Sequence, residues 1–199
     1  MSSDRAALDA LLDSTIVGHI AFVTPDGGPM VVPTAAVRWD DRLVVHGSTG
    51  SRWLRLVVGS PAVVSVATVD GIIVARSAFE SSLAYRSAVL FGSFDELAGD
   101  EKGAALDALT DRLIPGRVAE VRTATAKELA ATIVLAMPIA KWSLRISDGW
   151  AEDAEDDVAG PAWAGRAVFG SRPVATRAAP DLRTGISAPA SVTGVRAAH

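Results

Sequence analysis

The sequence predicts a mainly β fold with flanking helices, in which antiparallel strands form a barrel. Runs of β-branched residues alternate with turn residues, such as Pro-Asp-Gly-Gly at 25–28, so short connections join strands that pair antiparallel. Most of these runs are apolar on both faces. Helices or a second subunit are therefore expected to cover the outside of the barrel.

The strands follow from the β-branched runs and from the turn residues between them. Asp70-Gly71 is a two-residue pattern that predicts a type I′ hairpin between two strands. Pro138 predicts a bend or an edge within the last strand, because proline cannot donate a backbone hydrogen bond. Strands are predicted at 16–24, 30–38, 42–46, 63–69, 72–77, 87–94 and 132–146.

Helices are predicted before and between these strands. Asp4 is a suitable N-cap for a short first helix, whose leucines fall on one face. Two more helices are predicted at about 50–58 and about 100–113. Another begins at Thr125, which has capping-box spacing to Glu128.

The pattern changes after Trp150, where strand and helix periodicity give way to a segment rich in Gly, Pro, Ala and Arg. We therefore expect a barrel domain at 1–150 and a C-terminal arm at 151–199. The arm contains Trp163 and Phe169, whose exposure to water would be costly. It is thus expected to lie on the barrel or on a partner.

The composition excludes several classes of site. Cysteine is absent, which rules out disulfides, iron–sulfur clusters and thiolate zinc sites, and three histidines do not suggest a multi-histidine metal centre. A net charge of −4 argues against nucleic-acid binding. No apolar run reaches the roughly 18 residues of a membrane span, and no secretory signal is recognisable. A cytoplasmic protein without membrane segments is expected.

The stretch 46–54 has the chemistry of an anion site. It reads His-Gly-Ser-Thr-Gly-Ser-Arg-Trp-Leu, so a strand ends, a turn presents three hydroxyls and a helix begins with Arg52. Ser48, Thr49 and Ser51 can donate to phosphate oxygens, and Arg52 can bind them bidentately. The alternative is that Ser48 or Thr49 only caps the helix while Arg52 is solvated. A second stretch places Arg86 beside a serine in an apolar strand, where a surface ion pair is the ordinary role of an arginine.

Together these motifs resemble the pyridoxamine 5'-phosphate oxidase-like flavoproteins, especially the branch that contains the nitroimidazole-resistance flavoproteins. Four motifs occur in the order seen there: a strand ending in His-Gly, the helix start Gly-Ser-Arg-x-Leu, the Asp-Gly pair leading to Ala-Arg-Ser-Ala-Phe, and Tyr-Arg-Ser-x-x-x-Phe-Gly at 85–92. The resemblance spans about 16–146. It implies a homodimeric antiparallel split β-barrel with FMN in a cleft between the subunits.

The resemblance also implies a set of cofactor contacts. The flavin ring would lie along the second strand, and the phosphate would meet Ser51 and Arg52. The implied contacts are Pro33, Thr34, His46, Gly47, Ser48, Ser51, Arg52, Arg86 and Ser87. The second strand lacks the Arg-x-x-Leu-Leu-Lys motif of true pyridoxamine-phosphate oxidases, and their C-terminal substrate-binding ending is missing. Vitamin B6 oxidation is therefore not expected.

Three functions remain open at this point. The first is an FMN-dependent oxidoreductase that takes a hydride from a nicotinamide donor and reduces a small organic acceptor. The second is a non-catalytic flavin- or haem-binding module, in which His46 could ligate haem iron. The third is a reductase that uses a deazaflavin in the same cleft. No catalytic residue and no metal site stands out in the sequence.

Overall fold

The computed structural model describes residues 3–170, 185 and 187–194. The strands are β1 (Val17–Val23), β2 (Pro29–Trp39), β3 (Arg42–Ser48), β4 (Pro61–Val74), β5 (Ser82–Ser93), β6 (Asp95–Glu96), β7 (Thr132–Pro138), β8 (Lys141–Ser147) and β9 (Gly165–Val168). The helices are α1 (Arg5–Ser14), α2 (Arg52–Val57), α3 (Gly99–Leu113), α4 (Ala126–Ala130), α5 (Glu155–Val158) and α6 (Ala190–Gly194), with a 3₁₀ turn at Val118–Glu120. No helix in this part of the chain is long and apolar enough to cross a membrane.

The strands form an antiparallel sheet that curls into a split barrel, which confirms the predicted fold class. The strand order is β6-β7-β3-β2-β1-β4-β5-β8, and β9 pairs with the end of β4. The split falls within β2. Its residues up to Ala35 pair with β1, whereas those from Ala36 onward pair with β3 on the other edge. The sheet divides there into a β1–β4–β5–β8 part and a β3–β7–β6 part.

The two faces of the sheet are covered by different helices. The inner face packs around the buried leucines of α1 and α2, including Leu11 and Leu54. On the outer face, α3 covers Val37 of β2 and Val44 of β3. Because side chains alternate along a strand, these contacts assign every neighbouring strand residue to the inner or the outer face.

The hairpin predicted at Asp70-Gly71 is wrong. Strand β4 continues through both residues, and Asp70 is an extra residue opposite β5, a β-bulge. The reason is tertiary: β5 pairs with one edge of this stretch and β9 with the other. A Cβ on Gly71 would lie 2.4 Å from the carbonyl oxygen of Ala167 in β9, so only glycine allows this close approach.

The single last strand predicted at 132–146 is also wrong, because it is two strands in different parts of the sheet. Strand β7 pairs with β3, and β8 pairs with β5. Pro138 ends β7, where its missing N–H removes a donor from the ladder. The helix predicted at about 100–113 is confirmed as α3, and Thr125 and Glu128 form the predicted capping box of α4.

The arm lies partly on the barrel, as expected, because β9 extends the sheet beside β4. Its acidic stretch is fixed by Asp153, whose carboxylate accepts hydrogen bonds from the backbone and the guanidinium of Arg76 at 2.8 and 2.9 Å. Trp163 and Phe169 remain 69% and 51% exposed in the single chain. Most of the arginine-rich part of the arm lies outside the described residues, and the domain boundary at Trp150 stays a prediction.

Candidate functional site

The turn after β3 is held in shape by backbone hydrogen bonds. The N–H of Thr49 donates to the carbonyl of Ala131 at 2.9 Å, and the N–H of Ser51 donates to the carbonyl of Ser48 at 2.8 Å. The Ser48 hydroxyl accepts a hydrogen bond from the N–H of Gly50 at 3.1 Å. Ser51 is the N-cap residue of α2, but its hydroxyl makes no capping hydrogen bond. That hydroxyl is therefore free to donate to a ligand.

Arg52 follows at the start of α2 and is exposed. It forms no hydrogen bond or ion pair with any residue in the described part of the chain. Arg55, one turn later, differs in that its guanidinium donates to the carbonyl of Thr49 at 2.6 Å. Arg52 also lies near the β1–β2 turn, where a hydrogen bond from Thr24, aided by the charge of Arg52, lowers the pKa of Asp26. The Arg52 guanidinium is thus available for an anion.

His46 lies on the outer face of β3, next to the region that α3 covers. It lines a cavity of about 520 Å³. Its Nδ1 is buried, and no hydrogen-bond partner lies within reach in the described residues. Burial lowers the pKa of His46, so the imidazole is neutral at pH 7. A neutral ring with an unsatisfied buried nitrogen is the form that can accept a hydrogen bond from a ligand or coordinate a metal.

The cavity is amphipathic and adjoins the turn. Its apolar lining includes Leu106 of α3 together with Val118 and Val121 from the segment that follows. Its polar lining includes Arg122, which forms an ion pair of 2.6 Å with Glu128, another lining residue. Thr132 also lines the cavity and pairs with Ser48 across β3 and β7. The hydroxyl-rich turn therefore begins at the edge of the cavity.

Strand alternation divides the remaining predicted residues between the two faces. Pro33 is exposed on the outer face, the same face as His46 and Ser48, and it pairs with His19. Thr34 and Gly47 point to the inner face instead. A Cβ on Gly47 would lie 2.8 Å from Cδ1 of Leu54, so the absence of a side chain lets α2 pack against β3 below the turn.

Arg86 and Ser87 lie away from the turn within one subunit. The guanidinium of Arg86 donates twice to the carboxylate of Asp70, both at 2.8 Å, and this pairing lowers the pKa of Asp70. Strand β4 shows how far apart the two arginines lie. Arg86 is opposite Thr68 of β4, and the β1–β2 turn near Arg52 begins next to Phe22, which is opposite Ala62 of β4. Thr68 lies six residues after Ala62 along the strand, a distance of about 20 Å. One subunit therefore does not bring Arg52 and Arg86 together.

Some residues of the site carry no signal in the sequence. The walls formed by Val118 and Val121 belong to a stretch without periodicity, so nothing marks them as cavity residues. Asp70 is read as a turn residue because glycine follows it, although its role is to hold Arg86. Glu128 does carry a signal, the capping box, but that motif predicts only a helix start and not the ion pair with Arg122.

The chain is similar to several proteins of known structure. A structure of the FAD and haem binding protein from Mycobacterium smegmatis is similar to this chain, with 50% identity over 98% of this chain and 96% of its own, and a TM-score of 0.93. The flavocytochrome Anf3 from Azotobacter vinelandii is 30% identical over 96% of this chain and 90% of its own, with a TM-score of 0.87.

A more distant structure, from Bacteroides thetaiotaomicron and assigned to 5-nitroimidazole antibiotic resistance, shares the fold at 15% identity and a TM-score of 0.59, covering 72% of this chain and 84% of its own. No curated protein sequence matches the chain. A sequence model described as pyridoxamine 5'-phosphate oxidase matches residues 4–146. The chain therefore belongs to the pyridoxamine 5'-phosphate oxidase family.

Proposed function

We propose that this protein binds a flavin nucleotide and acts as an oxidoreductase on a small organic acceptor. One observation supports this most directly: a turn with a free hydroxyl on Ser51 and a free guanidinium on Arg52 adjoins an amphipathic cavity that contains His46. A flavin nucleotide has the matching parts, an anionic phosphate and a planar, largely apolar ring. When bound, the flavin supplies hydride and electron transfer.

The identity of the nucleotide is a separate proposal. The family pattern implies FMN, whereas the 50% identical relative is described as binding FAD. Both nucleotides present a phosphate after the ribityl chain, so Ser51 and Arg52 suit either. We propose FAD, because identity over 98% of the chain is stronger support than a family pattern. FMN and a deazaflavin are the other outcomes of the test below.

A second subunit would complete the site. In one chain, Arg86 and Ser87 are too far from Arg52 to share a ligand with it. Arg86 lies on the inner face of β5 with Ala88 and Leu90, where Asp70 binds it, whereas Ser87 lies on the outer face. The outer face of β1, β2 and β5 also exposes Val17, Val31 and Phe91, which supports a homodimer in which the partner contributes Ser87. The proposed site is therefore interfacial, with the turn from one subunit and Ser87 from the other.

Haem is a second candidate ligand, favoured by His46. Its buried Nδ1 has no partner among the described residues, its ring is neutral, and the cavity around it combines apolar with charged and hydroxyl side chains. These features fit a haem group, whose iron takes a neutral histidine as axial ligand. The relatives at 50% and 30% identity are described as an FAD and haem binding protein and as a flavocytochrome. His46 would then hold the iron, and haem would supply one-electron transfer.

The absorbance spectrum of purified protein, with chromatography of the extracted cofactor, tests the proposed function. We expect flavin bands, FAD on extraction, and bleaching of these bands on anaerobic addition of NADH or NADPH. A quinone or nitroaromatic should then restore the bands over repeated turnovers. Bound flavin that no nicotinamide donor reduces would instead favour a non-catalytic binding module. The absence of any flavin or deazaflavin would overturn the proposal.

Substitution of His46 tests whether this residue ligates haem iron or only lines the cavity. If His46 ligates iron, His46→Ala loaded with haemin should lose the Soret band and the pyridine haemochrome signal that the haemin-loaded wild type shows. His19→Ala is the matched control, because His19 is an exposed histidine on the outer face beside Pro33. A full Soret band in His46→Ala would exclude this ligand. Wild-type protein that binds no added haemin would exclude haem altogether.

A further inference from the structure

Among the described residues, α6 of the C-terminal arm makes a partly buried polar contact with the rest of the molecule through Ser191. Ser191 is 6% exposed. Its N–H donates to one carboxylate oxygen of Glu120 at 3.0 Å, and its hydroxyl donates to the other oxygen. Both oxygens of this carboxylate are thus bound by a single residue of the arm. Arg117 adds an ion pair of 3.2 Å to the same group.

Glu120 belongs to a wall of the cavity that contains His46. It ends the 3₁₀ turn that begins at Val118, and both Val118 and Val121 line the cavity. The turn has no buried side chain and pairs with no strand among the described residues. A segment with so few buried contacts opens at a small free-energy cost. Its attachments to neighbouring elements therefore decide how often it opens.

In the described part of the chain, three contacts that involve side chains attach this wall to other elements. The N–H of Val118 donates to Asp111 of α3 at 2.8 Å. Arg122 pairs with Glu128 of α4 at 2.6 Å, but both side chains are at least half exposed, so this ion pair contributes little. The contact between Ser191 and Glu120 differs, because a buried residue donates two hydrogen bonds, from its hydroxyl and its N–H, to one charged carboxylate, although Glu120 itself is exposed.

We infer that Ser191 and Glu120 are positioning residues for the cavity wall, so that docking of α6 controls access to His46. Release of α6 would free the segment around Val118 and Val121 and open the cavity to solvent. The arm would then act on ligand retention without touching the ligand. The claim about ligand retention rests on the proposed function, because it takes the cavity as the cofactor site. The claim about access to His46 does not.

Chemical labelling of His46 tests this inference in ligand-free, full-length protein. Diethyl pyrocarbonate modifies accessible imidazoles, and mass spectrometry reports His46 and His19 separately. We expect Ser191→Ala to raise the labelling rate of His46 roughly three- to tenfold relative to His19, from the loss of a hydrogen bond to a charged group. Thr193→Ala is the matched control, since the Thr193 hydroxyl bonds only within its own helix segment, to the carbonyls of Pro189 and Ala190.

Two outcomes would overturn the inference: unchanged labelling of His46 in Ser191→Ala, or an equal increase in Thr193→Ala. For protein loaded with FAD or FMN, we also expect faster flavin release from Ser191→Ala, followed by the recovery of flavin fluorescence. Faster labelling with unchanged flavin release would support the role of α6 in access. The same result would count against the cavity as the flavin site, so the two proposals fail separately.

Discussion

At the scale of single residues, the free guanidinium of Arg52 is the group most suited to an anionic ligand. We expect Arg52→Ala to lose a charge-assisted contact of about 1.5–3 kcal/mol, which lowers flavin affinity roughly ten- to a hundredfold. Thermal stability of the ligand-free protein should hardly change, because Arg52 makes no hydrogen bond or ion pair with the described residues. Fluorescence titration with FAD and FMN measures the affinity.

A charge-matched control accompanies that titration. Lys102→Ala removes one positive charge from α3, next to Glu101, which pairs with Arg42 at the end of β3 opposite the turn. It should leave flavin affinity unchanged, since β3 spans about 20 Å and surface charges farther apart than the Debye length of about 8 Å interact weakly. Equal losses in both variants would mean that net charge, and not a contact from Arg52, governs binding.

Individual residues also show why only part of the site could be predicted from the sequence. Ser51 and Arg52 were recognisable because their chemistry is local: a turn, hydroxyls and a helix start lie within a few residues. The partner of Arg86 is sixteen positions earlier, in a bulge that forms only when β4 and β5 pair. Nothing near Arg86 in the sequence indicates whether its guanidinium is free or already bound.

At the scale of elements, Gly71 joins the arm to the barrel. A Cβ at this position would lie 2.4 Å from the Ala167 carbonyl oxygen, so Gly71→Ala should push β9 away from β4. We expect a loss of about 1–3 kcal/mol in the free energy of unfolding. Hydrogen exchange should accelerate in Gly165–Val168, the residues of β9.

Gly103→Ala is the control for that prediction. Gly103 lies within α3, and a Cβ there would meet no atom within 4 Å. The substitution should therefore stabilise the protein by about 0.5–1 kcal/mol, because alanine restricts the unfolded chain and favours the helix. Denaturant unfolding measures both variants. If Gly71→Ala were as stable as the wild type, the described pairing of β9 would be wrong.

Elements were predictable from sequence where their signals are short-range. The capping box at Thr125 and the apolar stripe of α3 specify their own helices. The errors at Asp70-Gly71 and Pro138 have one physical cause, since turn propensity competes with strand pairing that only the folded sheet supplies. Similarly, the cavity around His46 depends on a segment without periodicity, so its existence could not be inferred from local pattern.

At the scale of the whole molecule, the outer face of the sheet predicts a dimer. Val31 is 61% exposed at the centre of this apolar surface, so Val31→Glu should disrupt association. Light scattering should give twice the chain mass of 20.6 kDa for the wild type and a smaller value for the variant. Flavin affinity should fall together with dimerisation, because Ser87 would come from the partner.

Val158→Glu provides the comparison for that experiment. Val158 is also exposed, but it lies in α5 of the arm and not on a strand of the sheet. It should leave both the mass and the flavin affinity unchanged. A monomeric wild type that still binds flavin tightly would contradict the interfacial site.

The pairing of β9 with β4 has a further consequence for how the molecule behaves in a crowded solution. Strand β4 extends beyond the part that pairs with β1. Without the arm, the residues of β4 from Gly71 to Val74 would therefore have unpaired N–H and carbonyl groups along one side. Such an open strand edge can recruit the same strand from another molecule and begin aggregation. By occupying that edge with a strand of only four residues, the arm limits edge-to-edge polymerisation, while the outer face of the sheet stays available for a closed pair of subunits.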